Sequence, residues 1–156
     1  MTTPALFANQ REVNLTSTVA MIEDVLVELG HFLNQCRDDR PGAIRSWKVH
    51  KGSATVRISL IDGDDFTHLR VAAPVIAVAA STDRAALFAH LLEVNRALCS
   101  AAFALAGNQV LIVTERSTLD LDRSEVMDAV ARVQRYADDH DDALVADFGG
   151  TLGGDA

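Results

Sequence analysis

Three strand-like runs follow one another between residues 43 and 80 with only short turns between them, and this succession restricts the fold more than any other feature. The first, "AIRSWKVHK", sets Ile44, Ser46 and Lys48 against Arg45, Trp47 and Val49. After a turn at Lys51–Gly52, "SATVRISLI" continues the β-branched alternation through Ile61. "DGDD", residues 62–65, makes the next turn, and "HLRVAAPVIAVAA" is the third run. Such turns join antiparallel neighbours, whereas a parallel pair needs a crossover of about a dozen residues. An antiparallel sheet follows. Pro74 lies inside the third run and has no N–H to give to a ladder, so that strand is expected at an edge or bulged near the proline.

Helical spacing surrounds these runs. Val19, Ile22, Leu26, Leu29 and Leu33 recur at helical intervals after Thr16 or Ser17, either a good N-cap, and the helix is expected to stop near Gly30. Residues 1–15 read as a flexible lead-in and "RDDRPG", residues 37–42, as a loop. "STDRAALFAHLLEVNRALCSA" gives a second helix, capped at Ser81 or Thr82, with stripes of Leu87, Leu91, Val94, Leu98 and of Phe88, Leu92, Asn95, Cys99. "AFALAGNQVLIVTER" is a hairpin in which Gly107–Asn108 supplies positive dihedrals. In the last helix Asp122 stands three residues before Glu125, a capping-box arrangement, and Val126, Val130, Val133 and Ala137 mark the buried side. Residues 149–156, "GGTLGGDA", read as a flexible tail. The expectation is an α+β fold, helix–three strands–helix–two strands–helix, with an antiparallel sheet packed by helices in a single domain over residues 16–148.

Charge narrows the partners. Asp and Glu number 22 against 14 Lys and Arg, a net charge of −8, and aromatic residues make up 5%. A field of that sign repels phosphates, and few rings are present to stack bases, so direct nucleic-acid binding is not expected. A basic protein partner, such as a nucleic-acid-binding factor, is electrostatically easier. The longest apolar run, Val71 to Ala80, is half the length of a membrane helix. With no signal-peptide pattern at the start, a cytoplasmic protein is expected. Cys36 and Cys99 form no metal or redox pair and read as reduced, partly buried thiols.

Motifs for chemistry are missing. "ADDHDDA" packs Asp138, Asp139, His140, Asp141 and Asp142 into one run, but consecutive acids on a helix usually face water rather than a cation. "DGDD" lacks the glycine position and closing glutamate of a calcium loop. His31, His50, His68 and His90 make no HExxH pattern, and there is no GxSxG, SxxK or phosphate-cradling loop. No catalytic residue, metal site or cofactor is assigned. Surface patterning points instead to interaction. The third strand is apolar on both faces and the second helix around more than half its girth, so either the core or another subunit covers them. A homodimer is expected, with Val71, Val75, Ile76 and either Phe88 or Leu91 at its interface.

"LLEVN" at 91–95, followed by "AAFALAGNQVLIV" and "LDLDRSEVMDAVARVQRYADDHDDAL", resembles the YbjN-like family of small bacterial proteins, which share the fold of type III secretion chaperones. The likeness extends over most of Thr16 to Phe148 and is sharpest from Ala86 to Leu144. It implies a dimer that holds an extended or partly folded client without covalent chemistry or nucleotide. YbjN-like members are described broadly as regulators of stress responses, motility or signalling. In such a fold Asn95 has a structural role: near the helix end its amide can bond backbone groups of the returning hairpin and fix where the strand begins. The expected function is therefore a non-enzymatic, homodimeric chaperone or adaptor for a protein client. The alternative is a small-molecule-responsive regulator with its pocket between sheet and helices.

Overall fold

The computed structural model describes residues 9–51 and 54–154. Its elements are α1 (Gln10–Glu28), α2 (Leu33–Cys36), β1 (Arg37–Asp38), β2 (Ala43–Lys51), β3 (Ala54–Ile61), β4 (His68–Ala77), α3 (Arg84–Asn95), β5 (Ala102–Ala106), β6 (Gln109–Ser117), α4 (Arg123–Phe148) and β7 (Thr151–Leu152). The strands form one antiparallel sheet in the order β1-β2-β3-β4-β6-β5. β7 pairs with the stretch of β4 that β3 does not reach. The expected α+β architecture is present.

Register explains where the core sits. Directly opposed residues of antiparallel strands share a face. Trp47, Ile58 and Val71 oppose one another in turn, as do Ala73 and Ile112, and Ile76 and Val110, and all are buried. Against this face α4 places Val126, Val130, Val133 and Leu144, α1 places Ile22, Val25 and Leu26, and α3 places Leu87 and Leu91. α4 touches β3, β4 and β6, and α1 packs on α4. Burying each such side chain is worth roughly 1.5–3 kcal/mol, which is why this face defines the fold. The capping box forms as expected: Glu125 N–H donates to Asp122 Oδ1 at 3.0 Å, and Asp122 N–H donates to Glu125 Oε2 at 2.9 Å. Hydrogen bonds from Ser124 and the Glu125 backbone hold the Asp122 carboxyl below its ordinary range.

The bulge expected near Pro74 is present, in an interior strand rather than at an edge: Pro74 opposes Leu111 and Ile76 opposes Val110, leaving Val75 as the extra residue. Several other local readings change. α1 begins at Gln10 rather than at Thr16, because tertiary contacts hold its first turns. Asn14 Nδ2 donates to the Thr118 carbonyl at 3.2 Å, and Thr118 Oγ1 donates to Asn14 Oδ1 at 2.7 Å. The 37–42 segment contains β1, pinned where Ser46 Oγ donates to the Asp38 carbonyl at 2.7 Å. Gly52 of the expected Lys51–Gly52 turn lies outside the described residues. α3 is capped by Asp83, whose Oδ1 accepts from Ala86 N–H at 3.1 Å, instead of by Ser81 or Thr82. That helix stops at Asn95, so Cys99 falls beyond it and is exposed, while burial of Cys36 pushes its thiol up. In the hairpin turn Gly107 alone has a positive φ, +59°, which fits a turn with glycine at its first central position. The tail reading fails most clearly. Thr151 and Leu152 pair with Ala77 and Ile76, and Gly153 N–H donates to the Val75 carbonyl at 2.8 Å. A Cβ at Gly153 would come within 2.8 Å of the Pro74 Cβ, so the close approach requires glycine.

Candidate functional site

With the helices on one face, the sheet's other face is left to the strands themselves. Two ranks of opposed residues cross it. Asp38, Ser46, Ser59, Arg70 and Glu115 form one rank, and Lys48, Arg57, Ala72, Val113 and Ala102 form the next. Beyond them Pro74, Leu111 and Ala104 stand in line. Apart from the Arg70–Glu115 pair, the β5–β6–β4 side is thus apolar and the β1–β3 side polar. A groove of about 320 Å³ runs over this boundary, floored by Ala72, Pro74, Leu111 and Val113. Among the described residues, strand and loop residues line it and no helix does. Leu111 and Val113 are half-buried, although they face away from the core.

Arg40, Arg57 and Arg70 close one end of the groove, and no carboxylate is among its lining residues. Arg57 and Arg70 are diagonal neighbours across β3 and β4, since Arg57 opposes Ala72 and Arg70 opposes Ser59. Each is braced from outside the groove: Arg57 Nε donates to Asp38 Oδ2 at 2.7 Å, and Arg70 Nη2 lies 2.6 Å from Glu115 Oε2. Arg40 follows β1 in the chain. Burial and the nearby Arg57 pull its guanidinium below its ordinary value, and Arg70 acts in the same sense against the attraction of Asp38. Three cations therefore converge locally on a protein of net charge −8.

Two other surfaces stand out. A more open recess of about 760 Å³ lies beside β6 where β5 begins, between Thr114–Arg116, the Ser100–Ala102 segment and the α4 residues Glu125, Asp128 and Arg132. Its walls are ion-paired, Arg116 with Glu125. On the outside of α3, Leu92 is 70% exposed, and Phe88 carries the Arg84 guanidinium 5.3 Å from its ring centroid. α3 flanks β5, with Arg84 reaching Asn108 at one end and Asn95 reaching Phe103 at the other. Leu105 of β5 is 44% exposed.

The residues singled out from sequence are dispersed by the fold. Val71 and Ile76 are fully enclosed in the core of one chain, with Val75 and Leu91 nearly so; α4 packs on β4, and Leu91 belongs to the same buried cluster. Side chains sealed in this way have no surface to offer a second subunit; of the five, Phe88 is the one that is partly exposed. Asn95 Oδ1 accepts from the Phe103 N–H at 2.6 Å and its Nδ2 donates to the Phe103 carbonyl at 3.4 Å, so one amide meets both backbone groups of a residue in β5. The Asp138–Asp142 run lies along α4, with His140 edge-on to Phe103. Among the described residues no three His, Cys, Asp or Glu side chains gather as a metal site. No described helix is long and apolar enough to cross a membrane. The sequence reading missed Leu111, Val113 and the arginines. One signal was present: "VLIV" is apolar at successive positions, so half of it must face away from the core.

Known structures share this arrangement. The structure of the ExsC–ExsE complex aligns with a TM-score of 0.60 at 14% identity, covering 83% of this chain and 96% of that one. The HopA1–SchA chaperone–effector complex gives 0.58 at 10% identity over 82% and 94%. The ExoU–SpcU complex from the type III secretion system of Pseudomonas aeruginosa gives 0.53 at 13% identity over 76% and 93%. At these identities the likeness concerns the fold. Curated protein sequences give no significant match. Residues 16–153, from within α1 through β7, match the family TY-Chap1, described as T3SS (YopN, CesT) and YbjN peptide-binding chaperone 1. With nearly the whole described chain inside that match, and with the sheet, hairpin and closing helix in the same fold, this protein belongs to the TY-Chap1 family of peptide-binding chaperones.

Proposed function

We propose that the protein is a non-enzymatic, homodimeric chaperone or adaptor of the bacterial cytoplasm that holds an extended segment of a client protein along the open face of its sheet. The observation that carries this reading is the strip of Ala72, Pro74, Leu111 and Val113, apolar, half-buried and uncovered by any described helix. An extended chain puts alternate side chains on one side, which suits a floor built from ranks of strand residues. The chaperone–effector complex among the similar structures supports a protein as the occupant. The charge of −8 favours a client that is basic overall, by speeding encounter. A stress or regulatory pathway is the setting that YbjN-like relatives suggest.

The same reading assigns self-association to the outside of α3 and the β5 edge, where Phe88, Leu92 and Leu105 leave apolar surface exposed. It replaces β4 as the proposed interface. Native mass spectrometry of the protein isolated from its own host at low salt tests both halves together. The expected species is two copies of the 16.8 kDa chain carrying a bound polypeptide. A lone 16.8 kDa chain with nothing attached would contradict the reading.

A further inference from the structure

The groove is apolar along its floor and cationic at one end, and that polarity says more about the occupant than the net charge does. Among the described residues, the charged ones lining it are Arg40, Arg57 and Arg70, and the two carboxylates that pair with Arg57 and Arg70, Asp38 and Glu115, stand outside the lining. An ion pair satisfies part of a guanidinium, which carries five N–H donors in a fork. Donors therefore remain for a further acceptor. The Arg57 side chain is only 14% exposed, so its charge acts where water screens poorly. The crowding of Arg40 by Arg57 and Arg70 means that an anion placed among them would relieve mutual repulsion as well as gain hydrogen bonds. Nothing comparable lies at the apolar end, where Pro74, Leu111 and Ala104 continue the floor.

We propose that the occupant of this groove is a client segment in extended conformation with small apolar side chains at alternate positions, followed by an aspartate or glutamate whose carboxylate is held by Arg40, Arg57 and Arg70. The inference rests on the reading of the open sheet face as the peptide-binding surface, and it adds the chemistry of the anchor. It also separates two roles of charge. The overall acidity of the protein governs long-range attraction of a basic client, while a local acidic residue of that client sets where the segment stops.

The test uses the full-length chain and two fluorescein-labelled, C-terminally amidated peptides, Ser-Val-Ser-Val-Ser-Glu-Ser-Glu and the same sequence with glutamine at both glutamate positions. Fluorescence anisotropy at low salt measures each affinity. The expected result is that the glutamate peptide binds at least about tenfold tighter, the size of one charge-assisted contact, despite repulsion by the protein's net charge. In the triple variant R40Q/R70Q/E115Q that advantage should fall to within about twofold, while a thermal midpoint within a few degrees of the unmodified protein reports an intact fold. Equal affinities of the two peptides for the unmodified protein overturn the carboxylate anchor and leave the peptide-binding face standing. Failure of both peptides to bind overturns the face itself. An advantage that survives in the triple variant shows that the anion is held elsewhere and also overturns the assignment.

Discussion

Placing an aspartate at Leu111 is expected to weaken the hold on an extended client by about a hundredfold while the protein stays folded. Leu111 lies in the middle of the groove floor, opposed by Pro74 on one side and Ala104 on the other. It is on the face away from the core, so in the unoccupied protein the new carboxylate stays in water. The cost to folding is limited to strand propensity and partial burial, on the order of 1 kcal/mol. A bound segment changes that. It covers the carboxylate with apolar side chains and offers no donor, and a buried unpaired charge is among the most unfavourable features an interface can contain. A loss of about 2.7 kcal/mol in binding corresponds to the hundredfold effect. Titration with the client and a thermal melt on the same preparation check the two halves. A variant that binds normally would remove Leu111 from the site, and one that no longer folds would mean the back face is part of the core.

Asn95→Leu is expected to cost about 1–3 kcal/mol of stability, read as a shift of the urea midpoint, with client preference unchanged. The substitution keeps the side-chain size and deletes both hydrogen bonds to Phe103. The Phe103 N–H and carbonyl are then left at a part-buried position without their partner, and that penalty is larger than the net value of the bonds themselves. The amide has a second effect. The polar groups of Phe103 point away from β6 and would otherwise be available to a foreign strand, so Asn95 stands where a neighbouring strand would pair. Undiminished stability together with lost client binding would show that Asn95 touches the client instead.

How much of this was readable in advance depended on whether the signal was local. The capping box of α4 could be seen because Asp122 and Glu125 are three residues apart, and the 3.6-residue spacing of Val126, Val130 and Val133 fixed its buried stripe. The antiparallel order followed from turn length. The start of α1 could not be read, since Asn14 is held by Thr118, which is 104 residues away. β7 was equally hidden: nothing in "GGTLGGDA" predicts pairing, and the edge for Thr151 and Leu152 exists because the β3 pairing with β4 ends at Ala72. The third strand is the most instructive element. Its apolar character on both faces was visible and suggested a subunit interface. The fold divides that excess, with Val71 and Ile76 under α4 while Ala72 and Pro74 become groove floor. The arginines escaped notice for a related reason. Arg57 and Arg70 are 13 positions apart in the chain, and Arg40 lies on a different element; their convergence depends on strand register, which the alternation of each strand alone does not specify.

The central claim is that the uncovered face of the sheet is where a client lies. Site-specific photo-cross-linking tests it most directly, with benzoylphenylalanine introduced at Leu111 or Ala104 on that face, and at Val27 of α1 or Leu92 of α3 on the helical side, each irradiated in extract from the native host. The account predicts cross-links to one and the same client polypeptide from positions 111 and 104, mapped to a short extended stretch, and none to that client from position 27. Cross-linking of the client from the helical positions, with the sheet face silent, would contradict it.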